Sequence, residues 1–323
     1  MIKQTDTPQP RPVRLADRGA PLPAYASYGR ALLGAAVMAL ALGTAGALGE
    51  LAHLRLGLDG TARQALTAVL CGGIAVPLVL WLRRRVDRRP VAGLGLAARG
   101  AARSFGLGVL VTGGAAAATF ALGTALGMLR WGAVDGPVLA RYLLVNALVA
   151  LALEAVPEEL TLRGYAYRNL SARLRRWTAA LCTVLLFLAV PAGSTVVQWA
   201  LAGLLGGPVT APSFAPAGQD PVSYAVLLVV FGCALLVARI TTGSLWTGIA
   251  LHLTFLTVNR ITLDGAARGA GWSAEPLTPD ALLLVPGYLL LTAVAFLVLA
   301  RLRGRRTGWR ERDPYGAEAD AAG

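Results

Sequence analysis

The chain has 323 residues, of which 56% are hydrophobic and only 15% charged, with a mean hydropathy of +0.60. That excludes an ordinary soluble domain, in which about 25% of residues are charged. A net charge of +13 would raise nucleic acid as a partner, but the arginines cluster between apolar runs with few aromatics among them, so no nucleic-acid partner is expected. They read as cytoplasmic anchors at a membrane, with membrane lipids as the first partner. Cys71, Cys182 and Cys233 all lie inside apolar runs, which indicates neither a disulfide framework nor a thiolate metal site.

In chain order, residues 1–30 are polar, contain "TPQPRP" and read as a disordered cytoplasmic tail. The first apolar run, 31–49, is too long and too far from the start for a cleavable signal, and reads as a retained span. Further runs long enough to cross a bilayer fall at 65–82, 104–129, 139–157, 177–206, 222–239, 242–259 and 281–300, which predicts about eight transmembrane helices. Arg83, Arg84, Arg85, Arg88, Arg89, Arg99 and Arg103 fill one connection, and Arg163, Arg168, Arg173, Arg175 and Arg176 another. Arg301, Arg303, Arg305 and Arg306 follow the last span, whereas 207–221 has no basic residue and 260–280 is mixed in charge. Eight crossings with both termini cytoplasmic satisfy these asymmetries. The expected fold is an all-α, polytopic helical bundle of the cell membrane. Its parts are a tail (1–30), an N-terminal pair of spans (31–89), a core (90–260), an exterior loop with the last helix (261–303) and a second tail (304–323).

The stretch "EAVPEELTLRGYAYRNL", Glu154 to Leu170, places three carboxylates at the end of an apolar run. On a helix Glu159 and Arg163 stand four apart and form an ion pair, while Glu158 is rotated away. Glu154 lies one turn before Glu158 on its face. Two carboxylates so placed in a low dielectric share a proton more readily than solvated ones, the usual arrangement for acid/base chemistry or proton movement. A helix end emerging into the cytoplasm with its charges solvated is the alternative. His252 lies in the middle of the seventh run, where an ionisable side chain marks function by default. His53 falls in the first exterior loop and reads as a solvated or interface residue.

The spacing "EELTLRG" matches EExxxRG and resembles the first motif of the CPBP family of intramembrane endopeptidases, which includes the type II CAAX prenyl proteases and the bacteriocin-processing and immunity proteins. "TTGSLWTGIALHLTFLTVN" resembles that family's third segment. The resemblance implies Glu158 as general base, Glu159 held by Arg163, and His252 as donor to the oxyanion. It also implies a membrane-associated protein or peptide substrate. A metal enters by family analogy only, and one His with two or three Glu is an insufficient ligand set, so no metal or other cofactor is expected.

Two motifs depart from the pattern. In "FLAVP", Phe187 to Pro191, proline stands where a second His is expected, and with only His53 and His252 in the chain no shift restores it. In "HLTFL", Leu256 stands where Asn is expected. Asn259 is about two turns, roughly 10 Å, beyond His252. Thr195 and Gln198 are able to hydrogen-bond water without acting as bases, which makes Glu154 the candidate substitute proton acceptor. The readings that remain are an endopeptidase, impaired or not; a catalytically inactive relative serving as scaffold or immunity factor; and, more weakly, a proton-coupled transporter using Glu154, Glu158 and His252.

Overall fold

A computed structural model describes residues 24–305 and 307–312. The tails expected at the two ends therefore lie largely outside the described residues. The chain forms α1 (Ala24–Leu56), α2 (Gly60–Trp81), α3 (Ala101–Ala125), α4 (Gly136–Ala150), α5 (Val156–Glu158), α6 (Tyr167–Ser171), α7 (Arg176–Leu205), α8 (Pro221–Thr242), α9 (Leu245–Thr262) and α10 (Leu284–Leu302). α4, α5 and α6 are one continuous helix, Gly136–Ser171, joined by π-helical turns. The chain is thus an all-α multi-pass membrane protein.

Among the described residues seven helices are long and apolar enough to cross a membrane. The eighth long helix, α9, spans about 27 Å by helical rise but carries His252, Asn259 and Arg260. It is an interior helix, with ten of its residues buried. A helix covered by protein keeps polar side chains that lipid would exclude.

The helices alternate in direction. The start of α1, the end of α2, the start of α7, the start of α9 and the segment after α10 meet at one end. Arg30 donates to the Val86 carbonyl (3.0 Å), Leu245 N–H to Gly95 O (2.9 Å) and Arg176 N–H to Glu311 O (3.0 Å). That end holds the arginine clusters. At the opposite end, β1 (Leu129–Trp131) pairs antiparallel with β2 (Ala274–Pro276), and Trp131 stacks on Trp272 with centroids 4.5 Å apart. Indoles at a bundle end match the aromatic belt of a membrane interface.

Small residues let the helices approach. A side chain at Gly43 of α1 would strike the Ser194 carbonyl of α7. One at Gly108 of α3 would come within 2.7 Å of the Thr247 carbonyl of α9. Backbone approach of this kind stands in for a hydrophobic driving force between helices in lipid.

Three expectations need correction. The fourth run does not end at 157 but continues to Ser171, so the three glutamates sit inside the helix rather than at its exit. Arg83 is not a snorkelling anchor: it is buried and paired with Asp87 (3.3 Å). His53 belongs to the last turn of α1, not to a loop, and its Nδ1 bonds the Leu58 carbonyl.

Candidate functional site

The helix carrying the three glutamates is irregular for a reason visible in its sequence. Pro157 has no N–H to offer the carbonyl four residues back. That carbonyl, Leu153 O, takes a hydrogen bond from Cys71 Sγ of α2 instead (3.3 Å). On either side the helix loosens into π turns, Leu151–Ala155 and Glu159–Ala166. Such turns recur at functional sites because they re-aim side chains that a regular helix would turn elsewhere. Glu159 lies about three turns inside the arginine-rich end, roughly 15 Å by helical rise, so the cluster is at membrane depth.

Glu159 is fully buried, and its Oε1 lies 3.3 Å from Arg163 Nη1 and 3.3 Å from His252 Nδ1. A ring nitrogen facing a carboxylate carries the proton, so Glu159 fixes the His252 tautomer and leaves Nε2 directed away from it. The imidazole stands edge-on to Phe231 (4.8 Å, 89°), which stacks on Phe255 (4.1 Å, 22°). The Arg163 guanidinium lies 4.3 Å over the Phe187 ring. Gly248 leaves room for the carboxylate, since a Cβ there would sit 2.7 Å from Glu159 Oε2. Glu159 Oε2 and all three Arg163 side-chain nitrogens lack a hydrogen-bond partner among the described residues. Two buried ions so thinly supported weaken the fold. Polar groups held at a net loss of stability mark functional sites.

Glu158 is buried at 9% exposure, and its side chain makes no hydrogen bond or ion pair among the described residues. Its carboxylate is therefore uncommitted, as the helix geometry predicted. Glu154 is not. It pairs with Arg260 Nη2 of α9 (2.5 Å), whose Nη1 donates to Asn146 Oδ1 (3.2 Å), while Asn146 Nδ2 donates to Thr257 (3.3 Å). These contacts form a network that ties the glutamate-bearing helix to α9. Arg260 was the missed signal, a cation eight residues past His252 in an apolar run.

The other candidates are spread out. Asn259 is in the last turn of α9, its Oδ1 buried without a partner. Leu256 packs against the core. Thr195 Oγ1 donates to the carbonyls of Ala192 (2.9 Å) and Ser213 (2.9 Å), and Gln198 lines a small cleft with Glu50 of α1. Neither side chain is committed to the glutamates. α7 continues through Pro191, one turn beyond the Phe187 that supports Arg163.

A second buried cluster escaped the sequence. Asp87 pairs with Arg30 and Arg83 (3.3 Å each) and accepts from Tyr165 Oη (3.0 Å) and Asn169 Nδ2 (3.3 Å). It anchors the half of the helix that follows Arg163. A lone acid among seven arginines was the clue. As for a metal, no three of His, Cys, Asp and Glu gather to hold one among the described residues. Glu159 is already committed to Arg163 and His252, so these residues do not fit a metal centre.

Residues 140–258, which bracket Glu154, Glu158, Glu159, Arg163 and His252, match the family described as type II CAAX prenyl endopeptidase Rce1-like. This stretch is similar to the core of the CPBP family. No curated protein matches the chain. The matched stretch begins in the glutamate-bearing helix and ends in α9, the two helices whose side chains meet at Glu159, and the family it resembles is one of proteases.

Proposed function

We propose that this protein is an intramembrane endopeptidase that hydrolyses peptide bonds of membrane-associated proteins or peptides, from a site opening toward the cytoplasmic side of the cell membrane. The observation that carries this reading is the convergence of Arg163 and His252, the latter 93 residues beyond Glu159, on one buried carboxylate with an uncommitted Glu158 beside it.

In this reading Glu158 takes a proton from water as the water oxygen adds to the scissile carbonyl carbon. Glu159 does not take up that water, because its Oε1 is engaged by Arg163 and His252. His252, oriented through Nδ1, presents Nε2 to the reacting group. Through an Nε2–H it donates to the developing oxyanion, a contact worth about 10²- to 10³-fold in rate in a dry site. When the C–N bond breaks, the proton from Glu158 goes to the amide nitrogen that leaves.

A second reading, a non-catalytic relative acting as scaffold or immunity factor, draws on two observations. Pro191 stands at the second-His position, and Glu154 is committed to Arg260 and so is not free to substitute. Purified wild type, Glu158→Gln and Pro191→His are incubated with a library of peptides and membrane proteins that a complete family member cuts, and new termini are read by mass spectrometry. Cleavage by wild type but not by Glu158→Gln upholds the endopeptidase. Cleavage by neither wild type nor Pro191→His, from folded protein, gives the scaffold reading.

A further inference from the structure

The glutamate-bearing helix carries a polar stripe that the endopeptidase reading leaves unused. Tyr142, Asn146, Ala150, Glu154 and Glu158 follow at every fourth residue from the end opposite the arginines. In a regular helix such a stripe drifts about 40° at each step, and the π turn Leu151–Ala155, which winds less per residue, draws it back. Across from it, Thr257, Arg260, Asp264 and Arg268 run along α9 and out through the segment that follows.

The two rows are joined. Asn146 Nδ2 donates to Thr257 Oγ1 (3.3 Å), Arg260 Nη1 to Asn146 Oδ1 (3.2 Å), and Arg260 Nη2 pairs with Glu154 Oε1 (2.5 Å). Nearer the surface the exposed Arg268 and Asp264 pair (3.4 Å), and Tyr142 stands within electrostatic reach of both and of Arg260. At the inner end of the stripe, Glu154 and Glu158 are both within electrostatic reach of Tyr224, which lies near the start of α8 and so belongs to the same end of the bundle.

Polar side chains between transmembrane helices also serve as glue, and exposure separates the two roles. Asp87 and Arg83 are sealed, with 0% and 5% of their side-chain surface open. Glu154 and Arg260 keep 22% and 16% open, although Glu154 lies roughly 27 Å along its helix from Gly136 by helical rise. An ion pair at that depth turns its open side to water rather than to lipid. Hydrolysis consumes one water for each bond cut, and the buried Glu158 needs a polar route by which that water arrives. We propose that Tyr142, Asn146, Glu154 and Arg260 line a hydrated passage that brings water to Glu158 from the end opposite the arginines. The purpose of the passage rests on the endopeptidase reading; its existence does not.

In a full-length chain with Cys71, Cys182 and Cys233 replaced by serine, Tyr142→Cys, Asn146→Cys and Thr257→Cys are treated with a charged, membrane-impermeant methanethiosulfonate, in intact spheroplasts and in inverted vesicles. Ala217→Cys and Ala98→Cys, exposed at opposite ends, report which side each preparation presents. Leu144→Cys, exposed on the apolar outer face at similar depth, is the control for lipid. Labelling is read from the intact protein mass, melting temperature checks folding, and any one folded passage variant decides. Reaction requires the thiolate, which forms in water and not in lipid, so the passage positions are expected to label from the Ala217 side about 10-fold faster than Leu144→Cys. Rates no faster than that of Leu144→Cys, or labelling from the Ala98 side alone, overturn the passage. Labelling needs no cleavage, so a passage found in a protein that cuts nothing upholds this inference while the endopeptidase reading fails.

Discussion

Replacing Arg163 by Met would leave Glu159 as a buried carboxylate whose remaining ionic contact is His252 at 3.3 Å. Breaking one side of a buried pair costs about 3–5 kcal/mol, because the partner's charge keeps its desolvation penalty. Loss of the guanidinium over Phe187, 4.3 Å from its centroid, removes a cation–π contact worth up to about 2 kcal/mol. Arg163→Met should therefore lower stability by at least about 3 kcal/mol, more than 10²-fold in the folding equilibrium. Glu159→Gln/Arg163→Met removes both charges and should regain most of that, since replacing a whole buried pair is often neutral. The assay is reversible unfolding in mixed micelles, with the two single variants completing a double-mutant cycle. Equal stability of Arg163→Met and the double variant would refute the claim that Glu159 is held by Arg163. Cleavage should be lost in the double variant, which no longer has the carboxylate that fixes His252.

Glu158→Gln should reduce cleavage by about 10²- to 10⁴-fold, the range for loss of acid/base help, with no fall in membrane abundance by immunoblot. Gly248→Ala should push the Glu159 carboxylate off His252, because the new Cβ would sit only 2.7 Å from Oε2. A turnover within twofold of wild type would show that the carboxylate has slack. Pro191→His should raise turnover, as it restores an imidazole one turn from Phe187 and gives α7 back an N–H; unchanged or lower turnover would show that position 191 does not face the reacting water. Gly95→Ala, at φ +91°, should lower the melting temperature through about 1–3 kcal/mol of backbone strain, aggravated by the Arg239 guanidinium that a Cβ there would overlap; an unchanged melting curve would show that the α2–α3 connection yields.

Much of the fold was legible because lipid imposes a single pattern, long apolar runs separated by arginines, and α1, α2, α3, α7, α8 and α10 follow it. The Glu159–Arg163 pair and the uncommitted Glu158 followed from spacing alone. Helix length around the glutamates did not, since Arg163 looks like an exit signal until Glu159 neutralises it. The Glu154–Arg260 contact joins residues 106 apart in sequence, and no local rule pairs them. Asp87 was lost in the charge count of its loop, where only packing against Tyr165 and Asn169 reveals it.

The π turns flanking Val156–Glu158 make the chain's length here a matter of chemistry. Each accommodates one more residue than a regular helix of the same reach. Removing a single residue from 151–155 would let the backbone close into ordinary helix with the turns on either side kept in place, and only the side chains inside the turn would be re-aimed. Glu154, which lies inside it, would be lost or turned from Arg260 while Glu159 still faced His252. Substitution can vary this site gradually, but a one-codon deletion would cut the tie to α9 at once.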